Sequence, residues 1–206
     1  MKITDPSPAI QKRLHSQIAS QDHVSRVRKK NGVGRQTDQS SAHRIPIPNH
    51  RFHQLVKDVC AGKAINERYG QIEDWDVSEV RDMSHAFENQ KTFNRDISRW
   101  DTSNVITMES MFSYATSFNQ PLHEWNVSNV TTMRLLFFRA VSFNQSLSEW
   151  NVSKVTTMTR MFGHATLFNQ SLNNWDVSNV TKMVSMFNTA TSFNQSLNDW
   201  NVGNVN

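Results

Sequence analysis

The sequence predicts a repeat solenoid, with 25-residue coils stacked in register behind an N-terminal capping helix. Three observations carry this expectation. Trp recurs at positions 75, 100, 125, 150, 175 and 200 without drift. Apolar columns keep the same step: Val80 to Val205, Met83 to Met183, Phe87 to Phe187 and Phe93 to Phe193. No insertion or deletion breaks the period. A constant period of this length means that each unit is one turn of a stack whose neighbours complete its core.

The chain falls into three segments. Residues 1–48 mix Ser, Gln, Pro and basic residues with few large apolar ones, the composition of a disordered tail. Residues 1–50 hold nine Lys or Arg against three Asp or Glu. The basic run Arg26-Val-Arg28-Lys29-Lys30 suits nucleic acid, an acidic surface or an import receptor, or else a solvated tail. Residues 49–70 form the capping helix and lead-in. Phe52, Leu55, Val56, Val59 and Cys60 lie at helical spacing, and Asn49 is the expected N-cap. Such a cap covers the first coil, whose core otherwise faces water. Cys60 is expected to be a buried thiol of that cap and not a nucleophile.

Residues 71–206 are the solenoid of about five and a half units, acidic on balance with nine Lys or Arg against thirteen Asp or Glu. Alternation at Trp125 and Val127 predicts one short parallel strand per coil. Met108, Met111, Phe112 and Ala115 at i, i+3, i+4 and i+7 predict a short helical or 3-10 turn. The indole N–H of each Trp needs an acceptor, expected to be a backbone carbonyl at the bend. The Asn column (94, 119, 144, 169, 194) is expected to form an internal amide ladder. Asn206 falls part-way through a unit, so either the protein continues or its last strand is exposed.

Unit texts such as FNQPLHEWNVSNVTTMRLLF and FNQSLNNWDVSNVTKMVSMF share W(D/N)VSxVTxM and FNQ motifs. They resemble the repeats of the BspA-like leucine-rich-repeat surface proteins, and the similarity covers residues 51 to 206. The resemblance implies a leucine-rich-repeat-like solenoid and a cell-surface or secreted location, with roles in adhesion and partner binding. It supplies no catalytic residues. The first residues lack the apolar core of a secretory signal. In the first unit, Ala86, Gln90, Arg95 and Asp96 depart from the repeat pattern, as expected of a capping coil that faces a different neighbour.

Chemistry is sparse. The single cysteine excludes an internal disulfide framework, and no apolar run reaches the ~18 residues of a membrane span. No HExxH, zinc set or Gly-rich phosphate loop occurs, so neither metal, cofactor nor enzymatic activity is expected. Asp76, Asp101 and Asp176 share a column with Asn126, Asn151 and Asn201, which suits a turn hydrogen bond and not acid–base catalysis. The Thr pairs 131–132 and 156–157 suggest a weaker alternative, an array that orders water or ice. Function is expected in the variable columns. Tyr114, Leu135, Phe138, Arg139, Val141, Arg160, His164 and Leu167 stand at adjoining positions of neighbouring coils. They make a candidate apolar patch rimmed with positive charge, suited to an unidentified protein partner. The competing expectation is a locally repacked coil.

Overall fold

The computed structural model describes residues 45–63 and 68–206, so the basic tail lies outside the described residues apart from its last four positions. Among the described residues the regular elements are one α-helix, α1 (Asn49–Cys60), and one 3-10 turn (Ile72–Asp74). The remainder is turns, bends and isolated bridges.

This overturns the expected leucine-rich-repeat-like coil of one strand plus one helical turn. No strand or sheet forms among the described residues. Parallel pairing is confined to single-residue bridges, Asp82 to Thr107, then Thr132, Thr157 and Lys182. Around each Trp the backbone bonds to itself in turns: Trp100 N–H donates to Ile97 and Val105 N–H to Thr102. A chain bent twice within ten residues has no length over which a ladder can run.

The Met-to-Phe stretch is not helical either, although Met108, Met111, Phe112 and Ala115 are all fully buried. Its N–H groups alternate between two destinations. Those of Met108, Ser110, Phe112 and Tyr114 donate to Thr132, Arg134, Leu136 and Phe138 of the next coil. Those of Met111, Ser113 and Ala115 donate three residues back, to Met108, Ser110 and Phe112. A helix keeps all these donors inside itself; here half of them tie one coil to the next. Consecutive turns of this kind need a left-handed residue at every fourth position. Ser110 (φ 56°) and Tyr114 (φ 59°) supply it, as do His85, Asn89, Leu135, Arg139, Arg160, His164, Ser185 and Thr189 in the other coils. With only the third residue at positive φ, the turns closed by Met111 and Ala115 are type II. None of these positions is glycine, and each carries a Cβ penalty of about 1 kcal/mol.

In the direction of stacking, identical side chains superpose. Trp pairs such as Trp100–Trp125 lie 6.2 Å apart at 3°. The inner Phe column runs at 5.4 Å for Phe87–Phe112 and 5.7 Å for Phe112–Phe137. The outer column runs at 6.0 Å for Phe93–Phe118 and Phe118–Phe143. Within a coil, Phe112 and Phe118 stack at 4.0 Å. Spacings above the ~4.8 Å between paired backbones mark offset stacking, the favoured arrangement for aromatic faces.

Polar groups follow the same step. The indole N–H groups of Trp100, Trp125, Trp150, Trp175 and Trp200 donate to Ile72, Ile97, Leu122, Leu147 and Leu172 of the preceding coil. The Asn ladder exists, but it runs near the surface and accepts instead of donating. Asn94 Oδ1 receives Asn119 N–H at 2.9 Å and the Gln120 side chain at 3.1 Å, a pattern repeated at Asn119, Asn144 and Asn169.

The first coil has no predecessor, and local groups stand in for one. Arg81 N–H, whose counterparts bond the preceding coil, donates to Asn49 Oδ1 at 2.8 Å. Asn49 therefore caps the coil and not its own helix, whose N-cap is Pro48. Trp75 Nε1 reaches Gly70 O at 3.3 Å. Arg95, where later coils have Gln, reaches back to Glu73 through two bonds of 2.6 and 2.5 Å. Burial opposes the Glu73 charge most strongly, but the Arg95 hydrogen bond, a backbone hydrogen bond and the Arg95 charge together outweigh it and hold this carboxyl below its ordinary value. Helix α1 lays Phe52, Leu55 and Val56 over the open core, with Phe52 edge-on to Trp100 at 5.7 Å. The helix stops in a Schellman turn: Gly62 (φ 68°) and Lys63 donate to Val59 and Asp58.

Three stability predictions result. Trp125→Ala empties a site shared by two neighbours and is expected to cost about 3–5 kcal/mol in urea unfolding. Ser148→Ala, on the half-exposed outer side, should fall within about 0.5 kcal/mol of wild type. Thr189→Gly relieves a β-branched residue at φ 59° and is expected to stabilise by about 0.5–1 kcal/mol.

Candidate functional site

The outward columns of the turn stretch hold the candidate residues. Tyr114, Arg139 and His164 occupy the same left-handed position in three consecutive coils, with φ of 59°, 57° and 59°. Phe138 sits one residue before that column. Its backbone carbonyl accepts Tyr114 N–H at 2.7 Å, which brings the two rings to 5.5 Å, edge to face. On its other side Phe138 meets His164 at 5.5 Å and 88°. Tyr114, Phe138 and His164 thus form a continuous ridge across three coils. The Arg139 guanidinium lies 5.3 Å from the Tyr114 ring centre and 5.7 Å from that of Phe138. Contacts of this kind contribute about 0.5–1 kcal/mol at an exposed site.

Other candidates stand beside the ridge. Leu135 and Arg160 share the earlier left-handed column, at φ 57° and 54°. Val141 and Leu167 are joined by a backbone bond of 3.3 Å, and Leu167 is 55% exposed.

Two residues of this surface were not singled out from the sequence. Gly163 lies under Phe138, and a Cβ there would meet the ring at 3.0 Å. Its column otherwise reads Glu88, Ser113, Phe138 and Asn188. A glycine next to the one large aromatic in that column was the available signal. Val184, 60% exposed, receives the Arg160 N–H on its carbonyl at 3.0 Å. Its apolar side chain in a column of Ser84, Glu109, Arg134 and Thr159 was equally legible.

Elsewhere the polar residues serve the fold. Asp76 and Asn126 accept the N–H of Ser78 and Ser128 in the same turn, at 3.0 and 3.1 Å. Thr131, Thr156 and Thr181 donate their hydroxyls to carbonyls of the preceding coil at 3.2–3.3 Å, so that proton is not left for a water array. His53 bonds Ser84 O at 2.8 Å. Among the described residues no three His, Cys, Asp or Glu gather as a metal site, and no helix is long and apolar enough to cross a membrane.

Residues 57–163 and 124–206 match a family described as Mycoplasma protein of unknown function, DUF285. The chain belongs to that family. No curated protein and no solved structure matches it. Membership spans the coils that carry the ridge and assigns them no activity.

Cys60 is half-buried against the core, and burial pushes its thiol up to about 11. The raised value favours the thiol, so alkylation by iodoacetamide at pH 8 should be about 100-fold slower than in the urea-unfolded chain. The folded rate should keep rising to about pH 11.

Proposed function

We propose that this protein is a non-enzymatic repeat scaffold for protein–protein interaction, with the ridge of Tyr114, Phe138 and His164 and its Arg139 as the contact surface. One observation carries this: a row of half-buried rings crosses three coils in columns where the other coils carry small or polar residues. Aromatic residues and Arg are the types enriched where binding energy concentrates. Leu135, Val141, Arg160 and Leu167 form the margin of the surface in this reading.

The resemblance of the repeats to BspA-like surface proteins extends the proposal to adhesion at a cell surface. An alternative rests on sequence charge alone: the folded coils are a scaffold, and the tail over residues 1–48 binds nucleic acid or an acidic surface.

A benzophenone photo-crosslinker placed at position 138 of the full-length protein in its native cells should trap a second polypeptide. The same group at position 149, on the other side of the coil, should not. Phe138→Ala with Arg139→Ala should abolish co-purification of that polypeptide. Equal trapping at both positions refutes the surface. Binding that is steeply salt-dependent and lost on deleting residues 1–48 favours the tail.

A further inference from the structure

We infer that the ridge recognises an acidic polypeptide segment, with carboxylates on Arg139 and Arg160 and an apolar side chain set against Phe138. The inference rests on the interaction role just proposed and names the chemistry of the partner.

Charge is the first argument. Residues 126–175 hold Arg134, Arg139, Lys154 and Arg160 against one acid, Glu149, in a repeat region that is otherwise acidic. Glu149 stands just before Trp150 and not on the turn stretch. Arg134 is already matched by Glu109 at 2.6 Å. Arg139 and Arg160 have no carboxylate in ion-pairing range among the described residues. An Arg guanidinium presents five N–H donors in a planar fork matched to a carboxylate. That of Arg139 is held over two rings and forms no hydrogen bond among the described residues.

The apolar part is built as well. Gly163 gives up its side chain where a Cβ would strike Phe138, so the ring lies across the next coil. Leu167 in that neighbouring coil and Val184 in the one after it are two of the five exposed large hydrophobic residues among the described residues. Left-handed backbone favours Gly or Asn. The first coil has Asn89 in this column, whereas the three central coils place Tyr114, Arg139 and His164 there.

A nucleic-acid strand fits less well. Its phosphates continue at a regular spacing beyond two guanidinium groups, onto a surface that carries Glu88, Glu109 and Asp82 in the earlier coils. A short acidic segment with one apolar anchor matches both the size and the mixed character of the ridge.

The test uses the full-length protein and a random 12-residue peptide display library. Selected peptides are counter-selected on the double variant Phe138→Ser, Arg139→Asn. Those substitutions copy Ser113 and Asn89 from the same columns, so thermal melting should match wild type. Expected are wild-type-selective peptides rich in Asp and Glu around one aromatic or aliphatic residue. A synthetic consensus peptide should lose at least tenfold in affinity to the double variant. It should lose as much when its acids become Asn and Gln. Wild-type-selective peptides that are neutral or basic overturn the acidic specificity and leave the interaction role standing. If no peptide distinguishes wild type from the folded double variant, both fail. Displacement of the consensus peptide by oligo-dT at lower concentration assigns the surface to nucleic acid and overturns the inference.

Discussion

The backbone bonds that pass from one coil to the next impose the geometry on which everything else rests. In the turn stretch every second N–H leaves its own unit, and its acceptor stands 24 residues later, from Met83 to Thr107 through His164 to Asn188. One inserted residue would send these donors to the wrong carbonyls and leave buried amides unpaired, a cost of about 1–3 kcal/mol for each. The constant step of 25 is therefore a hydrogen-bonding constraint before it is a packing one. Once it is met, Trp falls on Trp and Phe on Phe, and the aromatic columns follow from the register.

The same constraint makes the first coil the difficult one. It must satisfy groups addressed to a unit that is not there. The side chain of Asn49, the carbonyl of Gly70 and the apolar face of α1 each replace one feature of that missing unit. Arg95 belongs to this set, because a Gln at its position has no preceding Asn to reach. Arg95, a departure from the repeat text in the first unit, is thus an adaptation to a different neighbour.

With the interior largely committed to repetition, variation concentrates in the outward columns. Thr102 shows how narrow the interior tolerance is: it replaces a core Val and stays fully buried by donating its hydroxyl to Asn126 O at 3.1 Å. One column of the turn stretch, exposed or part-exposed at Glu88, Phe138 and Asn188, accepts Glu, Ser, Phe, Gly or Asn. That freedom allows a distinct surface to be written on three coils without disturbing the stack beneath it.

The sequence by itself determined the period, the membership of the core and the location of the variable surface. All three follow from which residue types recur at one step, because identical neighbours bury identical side chains. It also marked Phe138 and Arg139 as departures. It did not determine the backbone conformation. Met108, Met111, Phe112 and Ala115 are buried as their spacing implies, but that spacing suits a helix and a chain of alternating turns equally well. Only the tertiary structure decides between them, because the deciding acceptors belong to another coil, and no local propensity favours Tyr, Arg or Leu at a left-handed position. For the same reason the strand at Trp dissolved into bends and single bridges. The joining of Tyr114, Phe138 and His164 into one ridge was likewise a tertiary matter, since it depends on Gly163 in the next coil admitting the ring.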